Sequence, residues 1–152
     1  MLGLTFKIEN KYNNFLYKIF DSVDVLNYRW EIIHDEILYK EDEGIKQGLF
    51  ASDVLTGQDF LNTIKKKSYY MIFVDLKAFA VDSAYVEINT FQDFLESDCQ
   101  IILLCVDSEF IDFYCKEKSI LDIVYNNCVK YGFRSVEYLS LEEAHKRGVI
   151  AF

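Results

Sequence analysis

The sequence predicts an α/β protein of the α+β type: a single domain, spanning residues 1–152, in which helices pack against one mixed β-sheet. A chain of this length is close to the commonest domain size and suits one hydrophobic core. Apolar residues make up 51% of the chain, including 13 Phe and 11 Tyr, which is far too apolar for a disordered protein. Proline is absent and only 6 residues are glycine, so no linker divides the chain. Strand-like and helix-like segments follow one another along it, which predicts mixed content.

Runs of β-branched and aromatic residues mark the predicted strands. Five such runs are residues 2–8, 28–34, 69–76, 101–107 and 133–139. The run at 101–106 is apolar at every position, which predicts a central strand covered on both faces. Residues 37–39 and 85–88 are predicted as short edge strands.

Predicted helices begin where a Ser or Thr is followed three residues later by an acidic residue, which is the pattern of an N-terminal cap. The pattern occurs at Thr56 with Asp59, Thr90 with Asp93, Ser119 with Asp122 and Ser140 with Glu143. After Ser119, apolar residues recur at intervals of three and four until Gly132, which predicts the most regular helix. Another helix is predicted at residues 12–20, and one more after Asp107, where Ser108 would act as the cap.

The formal net charge is −9, and the acidic residues are concentrated in one part of the chain. No basic residue lies between Lys77 and Lys116. Eight acidic residues fall inside that window: Asp82, Glu87, Asp93, Glu96, Asp98, Asp107, Glu109 and Asp112. Such a surface repels the phosphates of nucleic acids, whose binding requires clustered Lys and Arg. The charge instead favours a basic protein as the partner.

Membrane and nucleotide-binding functions lack their usual sequence signals. The longest apolar stretches hold about six residues, where a membrane-spanning helix needs about 20. Lys7 and Glu9 interrupt the start of the chain before a signal-peptide core could form. We therefore expect a cytoplasmic protein that does not enter a membrane. The glycines match neither G-x-G-x-x-G nor G-x-x-x-x-G-K-[ST], so no cofactor is predicted.

The cysteines show no pattern of a metal or redox site. Cys99, Cys105, Cys115 and Cys128 are spaced 6, 10 and 13 residues apart. No C-x-x-C pair occurs, and no histidine lies close enough in sequence to complete a zinc site. Buried cytosolic thiols are the favoured interpretation, with a disulfide or a reactive thiol as the alternatives.

Asp107, Glu109 and Asp112 form the most suggestive polar cluster, because a buried strand ends there and a helix is predicted to begin. Ligands of open α/β sheets bind at the carboxyl ends of strands, so these carboxylates could contact a basic partner or hold a divalent cation. The simplest interpretation is structural, because acids in a first helical turn interact favourably with its positive end. If the cluster has a function, we predict that it binds a partner. No catalytic or metal-binding residue is predicted.

Both histidines have acidic neighbours. His34 precedes Asp35 and Glu36, and His145 lies three residues after Glu142. The first group has no nucleophile or Gly-rich turn nearby, and the second lacks the other E-x-x-H helix that a di-iron bundle requires. Both groups are interpreted as ordinary solvent-facing surface.

Four segments of the chain resemble a known family. They are GLTFKIENKY at residues 3–12, FVDLKAF at 73–79, VDSEF at 106–110 and YCK at 114–116. They resemble the small uncharacterised proteins of low-GC Gram-positive bacteria catalogued as domain of unknown function 2691. The likeness spans most of the chain, although residues 142–152 match the family pattern less well. It implies a cytoplasmic bacterial setting and carries no activity or assigned residues.

Taken together, the sequence predicts a non-enzymatic protein-binding module, similar to an immunity protein or an inhibitor, whose acidic face covers a basic partner. The acidic window and the 11 Tyr, a residue enriched at interfaces, favour this function. The alternative is a small divalent-metal-dependent enzyme. It would use Asp107, Glu109 and Asp112, with Asp75 at the end of another strand.

Overall fold

A computed structural model describes residues 2–66 and 68–151, and these residues form one sheet with helices on both faces. The strands are β1 (Gly3–Lys7), β2 (Tyr28–Glu41), β3 (Gly44–Gln47), β4 (Val54–Leu55), β5 (Tyr69–Ala80), β6 (Cys99–Val106), β7 (Phe110–Cys115) and β8 (Arg134–Leu139). The helices are α1 (Phe15–Ile19), α2 (Gly57–Ile64), α3 (Phe91–Glu96), α4 (Lys118–Lys130) and α5 (Leu141–Arg147), with a short 3-10 helix at Val25–Asn27.

The sheet confirms the predicted α+β class. Its strand order is β3-β2-β5-β6-β7-β1-β8, and β4 pairs with β2 beside this path. Every pairing within the described residues is antiparallel, whereas we expected a mixed sheet. Short connections explain two of these pairings. β2 to β3 and β6 to β7 are joined by tight turns, which suffice for antiparallel neighbours, while parallel neighbours need a long crossover.

Apolar side chains form a core on each face of the sheet. Helices α1, α2 and α4 cover the first face, where Trp30 stacks on Phe60 with ring centroids 3.8 Å apart. Helices α3 and α5 cover the second face and bury Phe91, Phe94 and Ala144. Strand β6 contributes to both cores, which confirms the prediction of a central strand covered on both faces.

Three of the four predicted helix caps are confirmed. Thr56 accepts a hydrogen bond from the backbone N–H of Asp59, and Thr90 and Ser140 form complete capping boxes. The fourth prediction, Ser119, is wrong because α4 already begins at Lys118 and Ser119 lies inside its first turn. Helix α1 is shorter than predicted.

The predicted helix after Asp107 is wrong. Asp107 and Ser108 form the turn of the β6–β7 hairpin, with φ angles of 51° and 67°, so Ser108 caps no helix. The next residues alternate between the faces of the sheet: Ile111 and Phe113 enter the first core and Tyr114 the second. This period of two is that of a strand.

The short predicted edge strands also differ from the structure. Residues 85–88 lie in the loop between β5 and α3, and residues 37–39 belong to the long strand β2. Within residues 2–66 and 68–151, no helix has both the length and the apolar character needed to cross a bilayer.

Candidate functional site

An open acidic depression lies where the β5–α3 loop meets α3. Its volume is about 370 Å³. The lining residues are Ala84, Val86, Glu87, Asp93, Glu96, Ser97 and Asp98. Four of the eight acids in the window without basic residues therefore face one surface. Across the described part of the chain, none of these four carboxylates makes an ion pair.

Helix α3 positions two of the four carboxylates. Asp93 Oδ2 accepts hydrogen bonds from the backbone N–H groups of Asn89 and Thr90, each at 3.0 Å, and these bonds lower the pKa of Asp93. Glu96 Oε1 accepts a hydrogen bond from Gln92 Nε2 at 2.8 Å. Both acceptors stay at the surface, so their negative charge remains available to a partner.

Exposed apolar side chains lie in the β5–α3 loop, and one of them, Val86, lines the depression. Val81, Tyr85 and Val86 are 58%, 46% and 46% exposed. The Tyr85 ring contacts Phe79 with centroids 5.6 Å apart, which supports it from below. Exposed aromatic and aliphatic groups beside charge are typical of protein interfaces, where aromatic residues are enriched.

A lysine beside the depression does not neutralise it. Lys116 Nζ donates to the backbone carbonyl of Ser97 and lies 5.1 Å from the centroid of the Phe94 ring. Burial lowers the pKa of Lys116, although the nearby Asp98 acts in the opposite direction. The ammonium is thus held by a neutral oxygen and a ring, and no acid of the depression pairs with it.

The three sequence-predicted residues lie toward the other end of β6: Asp107 and Glu109 are in the β6–β7 turn, and Asp112 is in β7 opposite Leu104. Glu109 pairs with Arg134 at 3.3 Å, and Asp112 forms a two-bond contact with Arg147, at 2.7 and 3.3 Å. Asp107 sits exposed in the hairpin turn. A strand of eight residues separates Asp98 from Asp107, a span of roughly 30 Å at 3.3 Å per residue.

The acidic window therefore does not form one continuous patch. The partner-binding role of Asp107, Glu109 and Asp112 stays a prediction, and two of these carboxylates already have cationic partners. Among residues 2–66 and 68–151, no group of three or more His, Cys, Asp or Glu side chains is arranged to hold a metal ion.

A buried ion pair on β5 escaped the sequence analysis. Lys77 Nζ lies 2.5 Å from Asp75 Oδ1 and 2.9 Å from the carbonyl of Val149, and both charged residues are only 1% exposed. The backbone N–H of Ala151 donates to Asp75 Oδ2 at 3.4 Å. Burial raises the pKa of Asp75, against the opposing charge of Lys77. The pair thereby fastens the segment after α5 to the sheet.

The position of Asp75 differs from our expectation. The sequence predicts Asp75 at the end of a strand. In the structure β5 continues to Ala80, so Asp75 lies inside the strand, opposite His34 of β2. The sequence did contain a signal. Opposite charges two residues apart in an otherwise apolar strand must share a face, and on a buried face they must pair.

The four cysteines and His145 are packed against other parts of the fold. All four cysteines are free and buried, and burial raises the pKa of each thiol to about 12. They are therefore protonated at neutral pH and poor nucleophiles. His145 of α5 packs edge-on against Phe91, with centroids 4.9 Å apart. Glu142 pairs with Lys146 one turn later, at 3.1 Å.

Comparisons with known proteins identify a family of unknown function. A family model described as "Protein of unknown function (DUF2691)" matches residues 1–150, which includes most of the C-terminal segment that resembled the pattern less well. The chain is 35% identical over 141 residues to an uncharacterised protein, YncE, of Bacillus subtilis (strain 168), and the match covers 92% of each chain. No solved structure shows a significant match.

Proposed function

Because this chain belongs to the DUF2691 family of proteins of unknown function, we propose its function from its own surface: it is a non-enzymatic module that binds a basic protein partner. Its acidic face would cover the basic surface of that partner, as immunity proteins and inhibitors do, and it would act in the cytoplasm. The observation that carries the proposal is the depression lined by four carboxylates without ion pairs.

The negative charge of the depression supports this function in two ways: it favours a basic partner, and it accelerates association with that partner. Carboxylates gathered in a concave surface focus the electrostatic potential, and complementary potentials accelerate association. The depression contains no basic side chain to cancel this field. Exposed charges more than about 10 Å apart are screened at 0.1 M salt, so binding to this surface should weaken as salt rises.

The exposed apolar side chains of the β5–α3 loop support a protein as the partner. Tyr85 and Val86 offer contact area that a simple cation would not use. A basic segment with an aliphatic or aromatic residue would fit both features. Arg suits such a position well, because its guanidinium binds carboxylates with two parallel bonds.

The test is affinity capture of the tagged protein from its own cell lysate at low and moderate salt, with variants matched in charge. The first variant, Glu87→Gln/Glu96→Gln/Asp98→Asn, removes three charges from the depression. The control, Glu41→Gln/Asp42→Asn/Glu43→Gln, removes three charges from the β2–β3 hairpin. Asp93 is left intact because it caps α3.

We expect one basic protein to be enriched by the wild type and the control, and to be lost with the depression variant and at higher salt. A third variant, Asp107→Asn/Glu109→Gln/Asp112→Asn, tests the sequence-predicted residues. Loss of the partner with this variant alone would move the binding site to the hairpin end of β6. Equal enrichment by all variants would refute the acidic-face proposal.

A further inference from the structure

A second concave site carries the opposite charge. It is a partly enclosed pocket of about 140 Å³, between the end of β1, the start of α1 and the start of β8. Its lining residues are Lys7, Glu9, Lys11, Asn13, Phe15, Lys18, Tyr131, Gly132, Phe133 and Arg134. Four cationic residues and one acidic residue therefore line this pocket, in a protein whose net charge is −9.

Two of the four cations are neutralised by carboxylates and two are not. Lys11 pairs with Glu9 at 3.0 Å, and Arg134 pairs with Glu109 at 3.3 Å. In the described residues, Lys7 and Lys18 make no ion pair. About two positive charges thus remain uncompensated among the residues that line this one small concavity.

The uncompensated lysines are held in place by neutral groups. Lys18 Nζ donates to Asn13 Oδ1 at 3.0 Å and lies 5.7 Å from the centroid of the Tyr131 ring. Lys7 Nζ lies 5.1 Å from the centroid of the Phe110 ring. A neutral oxygen or a ring orients an ammonium and leaves its charge free to attract an anion.

The strand register adds an independent observation. After a register shift in the β1–β8 pairing, Lys7 stands directly opposite Arg134. Like charges directly opposite each other on antiparallel strands destabilise a sheet. The Glu109 carboxylate relieves this repulsion only on the Arg134 side. A bound anion between the two cations would relieve the rest.

We propose that this pocket binds a phosphate group, either as inorganic phosphate or as the head of a phosphate monoester. At about 30 Å³ for each water-sized group, its 140 Å³ has room for roughly five such groups, and a phosphate has five heavy atoms. A phosphate carries about −1.5 to −2 charges at pH 7, which matches the two uncompensated cations. Lys and Arg are the side chains that proteins use for this group.

The first test measures the melting temperature of the full chain in inorganic phosphate, phenyl phosphate and acetate, at constant ionic strength set with NaCl. A ligand that binds the folded state raises the melting temperature in a saturable way. We expect saturation with millimolar phosphate and no effect of acetate beyond that of chloride. At least fivefold tighter binding of phenyl phosphate would identify a monoester as the ligand, and equal or weaker binding would identify free phosphate.

Charge-neutralising variants then locate the site. Lys7→Gln and Lys18→Gln should each weaken phosphate binding at least fivefold, whereas Lys46→Gln, at an exposed position of β3, should leave it unchanged. In the unmodified protein, phosphate should shift the amide resonances of Asn13 and Gly132 in a ¹⁵N spectrum, so the test survives a variant that fails to fold. The proposal is wrong if phosphate acts no differently from chloride, or if all three variants bind it equally.

Discussion

At the scale of single residues, the pair of Asp75 and Lys77 shows how a buried charge constrains its surroundings. Both side chains are almost fully buried, and each also contacts the backbone of the segment after α5. Ionised groups are tolerated in such a place only when they are paired and hydrogen-bonded. Removing one partner should therefore cost much more than an exposed ion pair is worth.

We predict that Asp75→Ala lowers the free energy of unfolding by about 3–5 kcal/mol, because it leaves the ammonium of Lys77 buried without its counter-charge. The double variant Asp75→Leu/Lys77→Met should cost less than this single one, since it removes both charges and leaves only two neutral backbone groups, the Val149 carbonyl and the Ala151 N–H, without their partners. Urea denaturation of the two variants and the wild type measures both values. A single variant within 1 kcal/mol of the wild type would contradict the assignment.

At the scale of secondary-structure elements, Asp21 links the segment after α1 to the end of α4. Its Oδ2 atom accepts hydrogen bonds from Lys130 Nζ at 2.8 Å and from the Tyr131 hydroxyl at 2.6 Å. These bonds favour the ionised carboxylate and lower the pKa of Asp21. The stability that these bonds contribute is present above the pKa of Asp in the unfolded chain, which is about 3.9. It is lost as the pH falls through the lower pKa that Asp21 has in the folded protein.

Asp21→Asn should therefore reduce stability by about 0.5 kcal/mol at pH 7, the range of partly exposed pairs, and by less at pH 2. Chemical denaturation of variant and wild type at both pH values gives the comparison. A difference that persists unchanged at pH 2 would mean that the ionised carboxylate is not the source of the effect.

The β6–β7 turn offers a second test at this scale. Asp107 and Ser108 both have positive φ angles within the three-residue turn 107–109, and this left-handed conformation favours Gly. Ser108→Gly should raise stability by about 0.5 kcal/mol, because the relief of backbone strain exceeds the entropy that glycine loses on folding. Ser108→Val should lower it. Thermal denaturation of the two variants distinguishes these opposite signs.

The same turn shows why the helix predicted after Asp107 could not be distinguished from a hairpin on sequence alone. Thr56, Thr90 and Ser140 cap helices as predicted, because a cap depends on residues within one helical turn. Asp and Ser are common both at helix caps and in turns, so their presence at residues 107–108 fits either structure. The choice is made by pairing: β7 forms a hairpin with β6 and also pairs with β1, from a distant part of the chain.

The candidate site was predictable only in part. The window without basic residues indicated a negative surface, and four of its acids do meet in one depression. The spacing of residues along the sequence could not show that Asp98 and Asp107 would lie at opposite ends of strand β6. Nor could it show that Arg134 and Arg147 would reach Glu109 and Asp112.

At the scale of the whole molecule, the two cores share strand β6 and should unfold together. Cys99 lies in the core of the second face, and Cys105, Cys115 and Cys128 lie in that of the first. Native thiols should therefore react negligibly with a thiol reagent at pH 8, because all are buried with a pKa raised to about 12.

In increasing urea, all four thiols should become reactive in one transition that coincides with the loss of circular dichroism. Quantifying the labelled cysteines by mass spectrometry at each urea concentration follows the individual sites. Labelling of Cys99 before the other three would show that the second core opens on its own, contrary to this expectation.

The place of β1 in the sheet has a consequence for the synthesis of the protein. Its partners are β7 and β8, which begin more than 100 residues later in the chain. Translation at about 5–20 residues per second leaves this first strand without its neighbours for several seconds or longer. Throughout that interval Leu4 and Phe6, which are buried in the finished protein, have no sheet to enter. The nascent chain therefore emerges with an unsatisfied apolar strand, and its architecture is completed only when the last third of the polypeptide arrives.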